Sequence, residues 1–225
     1  MNNINKKLSV LLTALMVSFS TSVLSFEGFS VGAVYNSMDF STTGSEATGL
    51  VDGTKDINTT TKTGSADVGS YFAEYTFSQG STIGIEQITG DAEIGKGSRT
   101  TTGATDGTVN VKATISDPTT FYVEPTFMFN EKFGVYVKGG ATTVSVKPST
   151  SGDTALVTST HGAKDIWGVT TGIGAKYYMG RFFVKAEYME TEFEKYHSQS
   201  TSGDESTVVA ELDTEETRFA IGLNF

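Results

Sequence analysis

The chain has 225 residues and a formal net charge of −10, with 19% charged and 37% hydrophobic residues. Soluble domains average about 25% charged and 45–50% apolar, so both classes are scarce here, and 25 glycines together with serine and threonine take their place. This balance excludes a helical globular protein, the absence of cysteine excludes a disulfide framework, a thiolate metal site or a cysteine nucleophile, and the acidic excess argues against a nucleic-acid partner, whose phosphates demand basic side chains.

Residues 1–25 read as a secretory signal peptide. Lys6 and Lys7 precede the 12-residue run LSVLLTALMVSF, and Val23 and Ser25 occupy the −3 and −1 places of a cleavage site. The run is shorter than the roughly 20 residues of a membrane-spanning helix. Cleavage starts the mature chain at Phe26, which leaves 14 basic against 26 acidic side chains. Residues 26–225 are expected to form one domain.

That domain alternates with a period of two, the signature of a strand with one polar and one apolar face. In the first strand Phe29, Val31, Ala33 and Tyr35 share a face. Tyr71, Ala73, Tyr75 and Phe77 form the second, and Ile83 and Ile85 mark a third near residues 81–91. The fourth ends with Phe121, Val123, Pro125, Phe127 and Phe129, and the fifth holds Phe133, Val135 and Val137. Trp167, Val169, Ile173, Ala175, Tyr177 and Met179 align in the sixth, and Phe182, Val184, Ala186 and Tyr188 in the seventh. Phe219, Ile221, Leu223 and Phe225 close the eighth. The fourth strand has two readings around Asp117-Pro118: one long strand with a bulge, or a first half that is loop ribbon beyond a membrane. Pro125 is unusual in a paired strand because it donates no ladder hydrogen bond.

Three features favour a closed barrel in lipid over a soluble β-sandwich. Aromatic residues gather near the strand ends on the apolar face, as interfacial girdles do. The opposite face carries Glu74, Glu86, Glu124, Lys138, Lys176, Lys185, Glu187 and Arg218 among glycines. Short turns near residues 78–80, 130–132 and 179–181 alternate with long polar connections at 41–66, 90–108, 148–163 and 197–207. Outer-membrane barrels have this alternation, with short periplasmic turns and long extracellular loops. Only a closed barrel leaves no backbone donor unpaired in lipid. The expected fold is therefore all-β: an eight-stranded antiparallel transmembrane β-barrel of up-and-down topology.

The ending TRFAIGLNF looks like the terminal strand that the barrel-assembly machinery recognises, with Phe219, Ile221, Leu223 and Phe225 as its signal. With IWGVTTGIGAKYYMG at residues 166–180, it makes the whole mature chain resemble the small eight-stranded outer-membrane proteins of the OmpA, OmpX and opacity type, a porin family. The resemblance rests on layout. It implies a Gram-negative cell outer membrane as the location, with outer-membrane lipid, lipopolysaccharide and the assembly machinery as partners.

An eight-stranded interior is just wide enough for side chains to fill it. Glu74, Glu124, Lys138, Lys185, Glu187 and Arg218 are then expected as a charge-paired interior network, with a thin water path as the competing reading. No cofactor and no metal site are expected, and no enzyme: His161 and His197 are the two histidines, and His197 followed by Ser198 and Ser200 departs from the His-x-Ser pair of lipid deacylases of this shape. Asp204, Glu205, Glu211, Asp213, Glu215 and Glu216 read as a solvated acidic cluster around the last loop, with calcium or bridged lipopolysaccharide phosphate as the alternative. The expected role is structural, with surface interactions through extracellular loops that meet an external ligand. The alternatives are a small porin for water, ions or small solutes, and a lipid-modifying enzyme.

Overall fold

The computed structural model describes residues 27–49, 55–101, 107–152, 163–199 and 207–225. The signal-peptide reading, His161, Ser200, Asp204 and Glu205 fall outside them. The described chain consists of strands β1 (Gly28–Gly49), β2 (Lys55–Thr76), β3 (Thr82–Thr89), β4 (Asp91–Thr101), β5 (Gly107–Glu124), β6 (Thr126–Met128), β7 (Phe133–Gly152), β8 (Lys164–Met179), β9 (Phe182–Phe193), β10 (Tyr196–Gln199) and β11 (Thr207–Asn224).

Three of the boundaries are interruptions within a single stave. β3 and β4 meet at Gly90, whose φ of 106° suits glycine. β5 and β6 meet at Pro125, which has no N–H for the ladder but accepts a hydrogen bond from the Val137 N–H at 3.3 Å. β9 and β10 flank Glu194 and Lys195. Eight staves result. Each pairs antiparallel with its neighbour in sequence, and β11 returns to β1 in a register running from Ser30↔Asn224 to Ala47↔Thr207. The sheet is a closed up-and-down barrel. Gly28 and Asn224 lie at the rim of the short turns, residues 77–81, 129–132 and 180–181.

The faces are inverted relative to a soluble protein. Phe29, Tyr35, Tyr71, Phe121, Phe127, Phe129, Trp167, Ile173, Phe219 and Ile221 are exposed on the outer wall, while Glu74, Glu86, Glu124, Lys138, Lys176, Lys185 and Arg218 are buried inside. Exposed aromatics and buried charges have one solvent that suits them, lipid, and that removes the sandwich reading.

Where they are described, the long connections expected at 41–66, 90–108, 148–163 and 197–207 are almost all strand. The β1–β2 ladder continues to Gly49↔Lys55, the β4–β5 ladder to Thr101↔Gly107, and the β5–β7 ladder to Val109↔Gly152. Apolar alternation stops where lipid stops, but the Thr-rich ribbon keeps its β preference and its backbone pairing. The 22 residues of β1 rise roughly 70 Å along the strand, or roughly 50 Å when tilted by 45°, against an apolar band of about 25 Å. At Asp117-Pro118 both readings meet. β5 is one strand with a bulge between Ser116 and Thr119, where Asp117 has φ 55°, and its first half stands in the ribbon beyond the aromatic band.

Four lumen aromatics each lie over a glycine directly opposite on the next stave. Phe72 covers Gly32, Tyr122 covers Gly84, Tyr136 covers Gly174 and Phe183 covers Gly222. Between them the four pairs use all eight staves. A ring can lie flat against the wall only where its partner has no side chain. Gly84→Val is expected to cost about 1–3 kcal/mol by overpacking against Tyr122, whereas Gly44→Val, which faces open space, should change stability by less than about 0.5 kcal/mol. Urea unfolding in lipid vesicles measures both.

Candidate functional site: the barrel lumen

The lumen is layered. Towards the short-turn rim, Val34, Phe72, Tyr178, Phe183 and Ala220 form an apolar cluster with Met128 against it. The charges lie beside and above it, and on β2 Glu74 stands nearer the short turns than Phe72. Glu124, fully buried, sits among three lysines: Lys185 donates to its two oxygens at 2.8 and 3.0 Å, Lys138 lies at 3.3 Å and Lys176 at 3.6 Å. Lys176 and Lys185 are direct cross-strand partners. Like charges so placed repel, and the carboxylate between them removes the conflict.

The remaining acids complete the pairing. Lys185 also donates to Glu74 at 2.6 Å, and Lys138 to Glu187 at 3.0 Å. Arg218 donates to Glu86 and pairs with Glu187, its register partner, at 3.3 Å. Lys176 turns its other donors to the Gly80 carbonyl at 3.2 Å and the Thr82 hydroxyl at 3.1 Å. The tyrosines of the glycine pairs belong to the same network: Tyr122 donates to Glu74 at 2.8 Å and Tyr136 to Glu187 at 2.7 Å. Lys138 stands 4.0 Å over the Tyr122 ring, in cation–π contact. Ser70 donates to Glu86 at 2.5 Å, and Asn36 donates in turn to Ser70.

Above the charges a chain of hydroxyls crosses four staves, Thr120, Thr142, Thr170 and Thr191, at 2.8, 2.5 and 2.8 Å. Towards the long hairpins a second apolar cluster fills the interior: Phe40, Ile94, Ile115, Val144, Val146, Ile166, Tyr196 and Leu212. Each tier presents buried side chains. The arrangement ties the staves together across the lumen through a neutralised polar network, with two apolar clusters in the same interior.

The six network residues read from sequence, Glu74, Glu124, Lys138, Lys185, Glu187 and Arg218, converge in one tier. Glu86 and Lys176, which share their face, belong to it equally. Glu216 was read as part of the solvated acidic cluster; it is buried in the lumen, 4.0 Å from Arg218. The period of two separates it from Glu211, Asp213 and Glu215, which are exposed outside, and that parity was available in the sequence. Asp39, Ser41, Thr63, Ser65, Asp213 and Glu215 border a shallow groove of about 450 Å³. His197 is exposed on β10, opposite Val209 in register. Phe219, Ile221 and Phe225 are exposed on the outer wall and Leu223 is half-buried.

An eight-staved closed barrel with lipid-facing aromatics and a charge-paired lumen is an integral protein of the outer membrane. The chain belongs to the outer membrane protein beta-barrel domain family, whose model matches residues 9–225. Among solved structures it is similar to the outer membrane protein OprG from Pseudomonas aeruginosa (13% identity, TM-score 0.51, 91% of this chain and 100% of that one). It is also similar to the outer membrane protease OmpT from Escherichia coli (8%, TM-score 0.48, 92% and 100%) and to Neisserial surface protein A (11%, TM-score 0.40, 86% and 99%). At these identities the likeness is one of fold. No curated protein matches in sequence.

Removing one member of a buried ion-pair cluster leaves its partners uncompensated, at a cost of about 3–5 kcal/mol. Glu124→Gln is expected to lower stability by that amount, because three lysines lose their shared anion. Lys112→Gln, which breaks the half-exposed pair with Glu93, should cost less than about 1 kcal/mol. The mobility of unboiled samples on SDS gels, scored against urea concentration, separates the two.

Proposed function

We propose that this protein is a closed, non-enzymatic barrel that serves the cell surface structurally and through interactions of its extracellular hairpins. The observation that carries this reading is the lumen. Four lysine and arginine side chains and the acids around them are buried against one another, alongside two apolar clusters. Ions crossing such an interior would have to break buried pairs, each of which is costly to leave uncompensated. The small-porin reading has no comparable support. Among the described residues the lipid-modifying reading has only His197, a wall residue outside the lumen tier.

The proposed partners follow from position. Outer-membrane lipid and lipopolysaccharide surround the aromatic band. Phe219, Ile221, Leu223 and Phe225 on the closing strand are the proposed signal to the barrel-assembly machinery. The ribbons beyond the band face outward to an external ligand.

Purified protein inserted in planar lipid bilayers is expected to leave conductance at the level of the bare membrane. Stable, ohmic steps from the folded, heat-modifiable form would replace this reading with the porin.

A further inference from the structure

Glu216 is the one lumen acid that no cation holds closely. Its register partners on the two neighbouring staves are Met38 and Met189, both buried. Arg218 Nε stands 4.0 Å away, beyond hydrogen-bond distance, and that guanidinium is already engaged by Glu86 and Glu187. The Oε2 atom of Glu216 is buried without a hydrogen-bond donor. The other four buried acids are held differently. Lys185 reaches Glu74 and Glu124, Lys138 reaches Glu124 and Glu187, and Arg218 reaches Glu86 and Glu187, each within 3.3 Å. Among the described residues the buried set is therefore five carboxylates against four cations, and Glu216 is the remainder.

A second orphan stands beside it. Asn36 is the register partner of Arg218, so it lies two residues from Glu216 along the same inner face. Its amide nitrogen donates to the Val68 carbonyl and the Ser70 hydroxyl on β2. The oxygen is on the other branch of the amide, and it too is buried without a donor. Two buried acceptors on adjacent staves and one excess negative charge have a common remedy. A proton on Glu216 removes the charge and lets Oε2 donate to Asn36 Oδ1. Left ionised, the same carboxylate would be a buried charge without close compensation.

The site lies beyond the lipid-facing band. On β1, β9 and β11 the outward apolar residues end at Tyr35, Tyr188 and Phe219, and Asp39, Glu190 and Glu215 follow in one cross-strand row. Burial pushes the Glu216 carboxyl up from its ordinary value; Arg218 and Lys138 pull against this, and Glu86 and Glu187 add to it. These are the charged groups that face it, from β11, β7, β3 and β9, while β1 presents Met38 and Asn36.

We infer that Glu216 is a proton-binding site of the lumen, where the protonated acid donates to Asn36 and couples the stability of the barrel to pH. The inference stands whatever the hairpins bind. The unfolded chain releases this proton in the ordinary carboxylate range and the folded barrel only at higher pH. The stabilisation is therefore full below the unfolded value and is lost as pH rises through the folded one.

Urea unfolding in lipid vesicles, from pH 4 to pH 8, compares the wild type with Glu216→Gln, an uncharged counterpart of the protonated acid that can also donate to Asn36. The two unfolding constants should agree within about twofold at pH 4, and at pH 8 the wild type should be the less stable by about tenfold or more. Near pH 5.5, where ordinary carboxylates are ionised, the wild type should show the infrared carbonyl stretch of a protonated acid, which Glu216→Gln removes and Asn36→Ala shifts. A Glu216→Gln protein less stable than the wild type at every pH would mean an ionised Glu216 that serves Arg218, and would overturn the site. An acid band that is missing, or that survives in Glu216→Gln, would do the same. Wild-type stability that rises with sodium concentration, without an acid band, would overturn it in favour of a bound metal cation.

Discussion

The fold depends on how Glu124 is held. A carboxylate with no exposure, inside a tube whose outer wall faces lipid, survives only if cations surround it, and three lysines from β7, β8 and β9 do so. Those lysines need further acids, which Glu74 on β2 and Glu187 on β9 supply. The network is thus a set of cross-lumen ties in which every stave position is tested against charge. A register slip of one residue would send an entire set of glutamates and lysines into lipid and bring Phe and Tyr inward. The charges specify the register as much as they stabilise it.

Glycine and aromatic residues solve the problem of space that this creates. Eight staves leave little room, yet the lumen holds Tyr122 and Tyr136 as well as the charged side chains. Each ring lies along the wall over a cross-strand glycine, and each hydroxyl then reaches a glutamate. The tyrosines act as donors in the polar tier and as lining for the lysines. The side chains of the tier are buried, which strengthens every pair within it.

Much of this was legible as periodicity. The eight lipid-facing runs, the closing strand and the shared face of Glu74, Glu124, Lys138, Lys185, Glu187 and Arg218 all follow from a period of two. The height of the barrel was not, because Thr- and Ser-rich ribbon such as residues 55–65 lacks the apolar alternation that lipid imposes, and only its pairing with β1 shows it to be strand. Glu216 went astray for a related reason: a cluster of acids in sequence looks like one solvated surface, although alternate members face opposite ways.

The central claim is a lumen closed to water, and site-specific thiol accessibility tests it most directly, because the chain carries no cysteine of its own. Thr142→Cys places a thiol in the hydroxyl tier, and Lys147→Cys places one on the outer face of the same strand beyond the aromatic band. With a small, charged maleimide on protein in lipid vesicles, the lumen thiol should stay unmodified until the barrel is unfolded while the outer thiol reacts at once. Modification of the Thr142→Cys protein at the rate of its Lys147→Cys counterpart would mean a continuous water path, and would contradict the closed barrel.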